Sequence, residues 1–481
     1  MSKFSAGLKL GDLNDFIAPS QTCIVSLKGV KKNSQPEKGV IRMQERVQTT
    51  EQDTAPVKVT LHDCLACSGC VTSAETVMLE QQSVDEFLKQ VSSAEKAVIV
   101  SVSPQSRASL ASYYGITPLQ ALKKLTTFFK SLGVKAVFDT SCSRDMSLIE
   151  SCEEFIKVYK AQGTSNFKGQ KRGFPLLASS CPGWVCYAEK TLDASILSHI
   201  SCVKSPQQAM GAIIKRFACA NMGLKVDEVY HVTVMPCYDK KLEASRDDFV
   251  FSIEGNENNE QAGTARFTEV DCVLTSGEML DLLQGRCSDF MLLDESPLDR
   301  MLTNVDESGH LYGSRGGSGG YAECIFRHAA RELFNKELSS PLEFKTLRNS
   351  DFKELTLEVE GEVVLRFACC YGFRNIQNLV RKMKTGKCEY QFVEIMACPS
   401  GCLNGGGQIK PRKGQSGKEL IQNLETVYLK EVNVSNPYEN PIIKGLYDSW
   451  LDHPGSQKCL QVMHTGYHTR EKNVASEISN W

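Results

Sequence analysis

Short apolar runs alternate along most of this chain with longer stretches of helical spacing, and that alternation predicts its layout. Residues 96–102 are apolar on both faces and stop at Pro104, as a strand buried inside a parallel sheet does. Similar runs predict strands at 134–139, 174–179, 231–235, 272–274, 354–359, 363–367 and 392–396. Helical spacing fills 83–91, 118–132, 148–159, 206–220, 277–283, 321–334 and 375–383, with further helices at 418–430 and 441–450. Pro118 and Pro206 each stand at the first turn of a predicted helix, where a missing N–H costs nothing. The repeating strand–helix order implies α/β layers around a largely parallel sheet. Ligands of such sheets sit beyond the carboxyl ends of the strands.

Before residue 83 the pattern is weaker. Leu8, Leu10, Leu13, Phe16 and Ile17 make a short amphipathic segment, 28–56 is a polar loop, and 57–61 alternates as a strand. Residues 254–263 and the Gly/Ser-rich 308–320 read as loops. We divide the chain into an N-terminal region over 1–92, a core over 93–430 and a helical tail over 431–481.

Composition then narrows the function. With 481 residues, 41% of them hydrophobic, the chain is long enough for two or three domains with substantial cores. A net charge of -2 gives no electrostatic reason to bind nucleic acid or an anionic membrane. Lys3, Lys9, Asp12 and Asp15 break up any apolar leader, and no run approaches the ~18 apolar residues of a spanning helix. The 20 cysteines are therefore expected to stay reduced, with clustered ones available for metal. Scattered ones such as Cys142, Cys152, Cys272 and Cys459 read as small buried hydrophobes, and adjacent Cys369 and Cys370 as core or loop residues.

Two groups of cysteines are clustered. Cys64, Cys67 and Cys70 form a C-x2-C-x2-C run that chance placement would give only roughly 0.03 times. This spacing suits three ligands of a ferredoxin-type [4Fe–4S] site, with Cys23 the natural fourth; a Cys3His zinc site through His62 is the rival. Three later segments carry the second group: Ser179-Ser180-Cys181-Pro182-Gly183-Trp184, Met235-Pro236-Cys237-Tyr238-Asp239-Lys240, and Ala397-Cys398-Pro399-Ser400-Gly401-Cys402 followed by Gly405-Gly406-Gly407. Each follows a predicted strand. Together they supply four thiolates, the number one [4Fe–4S] cluster takes. Cys398 and Cys402 would point the same way on a helix, and the glycines would let backbone approach something large.

These three segments resemble, in order, the signature loops of iron-only ([FeFe]) hydrogenases. The whole chain resembles the eukaryotic hydrogenase-like branch, the cytosolic iron–sulfur protein assembly factors related to nuclear prelamin A recognition factor. The resemblance implies a hydrogenase-like core of two parallel-sheet lobes around a cluster held by Cys181, Cys237, Cys398 and Cys402. It also implies a small N-terminal iron–sulfur region, whose cysteine in the family corresponds to Cys23. In the hydrogenases the thiolate matching Cys402 bridges to a catalytic di-iron unit. Lys240 and Glu243 match residues beside that unit, and Ser205-Pro206-Gln207-Gln208 resembles a stretch lining it. On the residues alone, Lys240 is a solvated loop lysine and Ser205 a helix cap.

Ser180 departs from the family pattern. Hydrogenases carry a cysteine there that shuttles protons. A thiol of pKa about 8.5 exchanges protons near neutral pH and an alcohol does not. The resemblance with this departure implies a non-catalytic assembly factor with two [4Fe–4S] clusters. Its partners would be apoproteins of the cytoplasm and nucleus and a targeting complex built on a WD40-repeat protein. A prelamin-binding nuclear paralogue and an [FeFe] hydrogenase or electron carrier are the alternatives. The terminal Trp481 reads either as a docking handle on that complex or as a tail that ends in tryptophan by chance.

Overall fold

The computed structural model describes residues 81–162, 173–253, 265–338 and 341–469. The expected N-terminal strand, Cys23, His62, Cys64, Cys67, Cys70 and Trp481 lie outside the described residues.

Two main sheets carry the architecture. In chain order the strands are β1 (Ala97–Val102), β2 (Ala136–Asp139), β3 (Leu176–Ala178), β4 (Val229–Met235), β5 (Val250–Ile253), β6 (Ala265–Thr268) and β7 (Cys272–Thr275). They continue with β8 (Leu311–Gly313), β9 (Lys345–Thr346), β10 (Phe352–Val359), β11 (Glu362–Tyr371), β12 (Phe392–Met396) and β13 (Val432–Val434). The first sheet runs β2-β1-β4-β7 and is parallel throughout. The second runs β3-β12-β11-β10-β9; it is parallel from β3 to β11 and antiparallel beyond. The α/β layers expected from the alternation, and the two lobes that the resemblance implies, are there.

Apolar runs become strands here because both sheet faces are covered. Val98, Val100, Val102, Val232, Val234, Leu274 and Leu283 pack in one cluster, and Ile99, Phe138, Met146 and Ile213 in another. Leu177, Trp184, Ile376 and Ile395 fill one side of the second sheet; Phe155, Phe326, Phe367 and Phe392 fill the other. Cys142, Cys152, Cys272, Cys370 and Cys459 sit in these cores at zero exposure, as small hydrophobes.

Several elements differ from the expected layout. The helix starting near 148 begins at Ser141 and runs to Gln162. Its first turns are polar yet buried, because Asp145 accepts bonds from Asn304, Asn440 and Ser314. The helix from Pro206 passes into a π turn at Ile214–Ala218. The C-terminal segment is not a simple helical tail: β13 pairs with β8, and Ile443, Leu446, Leu451, Cys459 and Val462 pack into the core of the first lobe. No helix among the described residues is long and apolar enough to cross a membrane.

His231 on β4 is fully buried, with Nε2 on Ser101 Oγ at 2.9 Å and Nδ1 on the Glu269 carbonyl at 3.1 Å. Burial pulls its pKa from 6.5 down to about 4, against the opposing field of Asp271. The unfolded chain therefore binds a proton below pH 6.5 that the folded chain refuses until about pH 4. Stability should fall as pH drops through that window, by about 3 kcal/mol from this group. Urea unfolding at pH 7.5 and 4.5 checks it: the His231→Gln protein should lose less stability than the parent, and equal slopes would refute the assignment.

Candidate metal centre between the two sheets

Cys181, Cys237, Cys398 and Cys402 all line one cavity, and each reaches it from the carboxyl end of a strand. β3 delivers Cys181, β4 delivers Cys237, and β12 delivers the other two. The cavity thus lies where the two sheets face each other. Its open volume is about 50 Å³, several times the ~10–15 Å³ that one water needs.

Each thiol is fixed by its local backbone. Cys181 holds the N-cap position of the Pro182–Thr191 helix, its own N–H donating to Ser179 Oγ at 3.0 Å, while the Ala397 N–H donates to its sulfur at 3.4 Å. Cys402 lies in the 3-10 turn Gly401–Asn404, its N–H on Ser318 Oγ at 3.0 Å and its sulfur 3.9 Å from Met396 Sδ. Cys398 and Cys402 therefore converge through a tight loop, with Ser400 and Gly401 both at positive φ, and not through a shared α-helical face.

The glycines act differently from expectation. A β-carbon on Gly405 would strike the Pro236 carbonyl, and one on Gly407 would come within 2.7 Å of Thr275 and 3.1 Å of the Cys237 Cα. At Gly401 it would strike Ser318. They let three loops press together, so that the cysteines meet.

The electrostatics suit a cationic core. Burial pushes the thiols of Cys237 and Cys398 far up, and neighbouring thiols of the same ring add to it. Burial and then Cys181 push Cys402 up to about 12. Cys181 is raised by burial and by Asp239. Four thiolates in such a space repel one another unless iron neutralises them, and an all-cysteine donor set fits an iron–sulfur group. Among the described residues, no three Cys, His, Asp or Glu side chains converge closely enough to hold a single metal ion.

Lys240 and Gln207 also line this cavity. Lys240 is not a solvated loop lysine: it is 6% exposed and its Nζ bonds Glu243 at 2.7 Å and Ser205 Oγ at 3.0 Å. Ser205 occupies the N-cap position, but its hydroxyl serves Lys240 and not the helix. Gln207 donates to Glu243 at 3.1 Å and accepts from Thr233. Ser180 faces the cavity with its hydroxyl donated to the Ser318 carbonyl at 3.2 Å. Sequence reasoning missed Ser318, Met396 and Arg144, which reach the site from a Gly/Ser-rich loop, a strand end and a helix start. Glu394 was missed too: it accepts from the Ala322 N–H and Tyr371 O–H at 2.8 Å each, tying β12 to the Tyr321–Phe334 helix.

The fold and this constellation define a protein of the iron-only hydrogenase type. Residues 96–406 match the model of the iron only hydrogenase large subunit, C-terminal domain, and 419–470 that of the iron hydrogenase small subunit. The solved [FeFe]-hydrogenase HydA1 from Chlamydomonas reinhardtii is 26% identical, with TM-score 0.67 over 80% of this chain and 98% of that one. Protein NAR1 of Arabidopsis thaliana is 59% identical over 100% of this chain and 99% of its own length. The cytosolic Fe-S cluster assembly factor narfl of Xenopus tropicalis is 48% identical and cytosolic iron-sulfur assembly component 3 of Mus musculus 46%, each over 100% of both chains. Within the hydrogenase-like class, the chain belongs to this eukaryotic family of NAR1 and narfl proteins.

Proposed function

We propose that this protein is a non-catalytic member of the cytosolic iron–sulfur assembly machinery. It would carry two [4Fe–4S] clusters and link early cluster assembly to a WD40-based targeting complex, for insertion into cytosolic and nuclear apoproteins. Cys181, Cys237, Cys398 and Cys402 hold one cluster; Cys23, Cys64, Cys67 and Cys70 hold the other. A bound cluster supplies an electron-accepting or transferable iron–sulfur core. The chain's own residues exclude water from it, orient the thiolates through Ser179, Ala397 and Ser318, and hold the Lys240 cation beside it. The assembly role rests on the names carried by the full-length relatives.

One observation carries the non-catalytic reading: four thiols line the cavity, while the side chain next to Cys181 is an alcohol already donated to a carbonyl. A hydroxyl so committed does not relay protons at neutral pH. Anaerobic protein should contain about eight iron and eight sulfide, show two cubane EPR signals on reduction and evolve no hydrogen. Hydrogen evolution with carbonyl or cyanide infrared bands would overturn the reading. About four iron with one zinc would move the N-terminal cysteines to a zinc site.

A further inference from the structure

Glu394 is a buried carboxyl near the cysteine ring, 2% exposed, on β12 inside the second sheet. Strand alternation puts it on the same face as Met396, which lines the cysteine cavity about 7 Å further along. We propose that Glu394 is a proton-binding site coupled to the cluster between the two sheets, a role that presupposes the cluster proposed above. It takes one proton from solvent when that cluster gains one electron.

Charge separates Glu394 from other buried acids. Asp139 pairs with Arg107, Glu189 with Arg246 at 2.8 Å and Glu269 with Lys204 at 2.5 Å. Among the described residues no cation pairs with Glu394; its oxygens accept from the Ala322 N–H and the Tyr371 O–H. The titratable groups that face it are neutral or acidic. They are Tyr371 and Cys369 on β11, Tyr321 and Glu323 on the Tyr321–Phe334 helix, and Cys402. Glu323 has its own partner in Arg327, and β3 sets only Ala178 opposite Glu394. Burial raises the Glu394 pKa above the usual carboxylate value, against the hydrogen bonds that favour its charged form. Burial and Glu394 hold Tyr371 well above 10, so it remains a phenol.

The connection to the ring is short. Tyr371 and Ser318 flank one glycine: a β-carbon on Gly401 would strike Ser318 Oγ and lie 3.3 Å from the Tyr371 ring. Ser318 Oγ in turn takes the Cys402 N–H at 3.0 Å. Reduction by one electron adds a negative charge to this buried space, and a nearby carboxylate with no cation repels it. Protonating Glu394 removes that repulsion. Electron and proton therefore favour one another by the same factor.

The test is a reductive titration with dithionite, followed by EPR across a range of pH, in the full-length Cys64→Ala chain. There the cluster between the sheets reports alone. Its midpoint should fall as pH rises, approaching a tenfold shift in the reduction equilibrium per pH unit, about 59 mV. Reduced-minus-oxidised infrared spectra should gain a protonated-carboxyl band. Glu394→Gln should abolish both the slope and the band. Tyr371→Phe removes a donor to the carboxylate, so its slope should persist to higher pH. A flat midpoint with a normal cubane signal, no carboxyl band, or a slope kept in Glu394→Gln would overturn the proposal. No cubane signal in Cys64→Ala would overturn the cluster assignment itself, and the proposal with it.

Discussion

The Cys398→Ala protein, purified without oxygen, should hold about four iron where the parent holds about eight, and it should unfold at lower urea. Cys398 comes from β12, the strand that joins β3 to β11 in the second sheet, and its loop touches the first sheet through Gly405 and Pro236. A cluster bound at this seam, as proposed, would stabilise the folded state because the unfolded chain does not bring its four thiols together. Removing one ligand also leaves three buried thiols that repel one another when ionised. Cys64→Ala should lose as much iron with little change in the unfolding midpoint, since its site belongs to the N-terminal region. Iron counts with urea curves decide it; equal iron loss with both proteins unfolded would abolish the distinction between a structural and a labile cluster.

Gly405→Ala should be nearly as damaging although it removes no ligand. The added methyl meets the Pro236 carbonyl, which is backbone and cannot swing aside, and lies 3.1 Å from the Cys402 carbonyl. Relief requires the Cys237 and Cys402 loops to separate. We expect a loss of about 2–3 kcal/mol, the upper part of the usual cost of overpacking. Iron content should fall with all eight cysteines intact. Full iron occupancy and an unchanged midpoint would mean that the loops tolerate separation. Gly414, at positive φ with open space around it, is unsuited as a control; Gly285, with nothing within 4 Å and ordinary φ, is the right one.

How much of this was legible in the sequence varies by element. The Tyr321–Phe334 helix and strand β12 were read to the residue, because one has a clear apolar stripe and the other is apolar on both faces. The Pro104–Tyr114 helix was missed. Ser106, Arg107 and Ser109 are buried alongside Leu110 and Ala111, so no polar face marks its period. Arg107 is tolerated there because it pairs with Asp139 on β2, a partner no local pattern shows. The short Asp239–Ala244 helix hid for the same reason, being buried on every side around the Lys240–Glu243 pair. The four cysteines of the seam were legible as a set because each follows a strand and sits beside proline or glycine. Ser318 was not: its hydroxyl reaches the Cys402 N–H across 84 residues of chain, and its carbonyl takes the Ser180 hydroxyl. The N-terminal cysteines rest on spacing and resemblance alone.

The pairing of β3 with β12 has a further consequence, for synthesis on the ribosome. Cys181 emerges with β3, but β12 and Cys402 follow only after some 220 more residues, about 10–45 s at ordinary elongation rates. Throughout that interval Cys181, and later Cys237, are uncapped thiols on an unfinished chain. The four thiols of the seam therefore cannot meet until the last of these strands has left the exit tunnel.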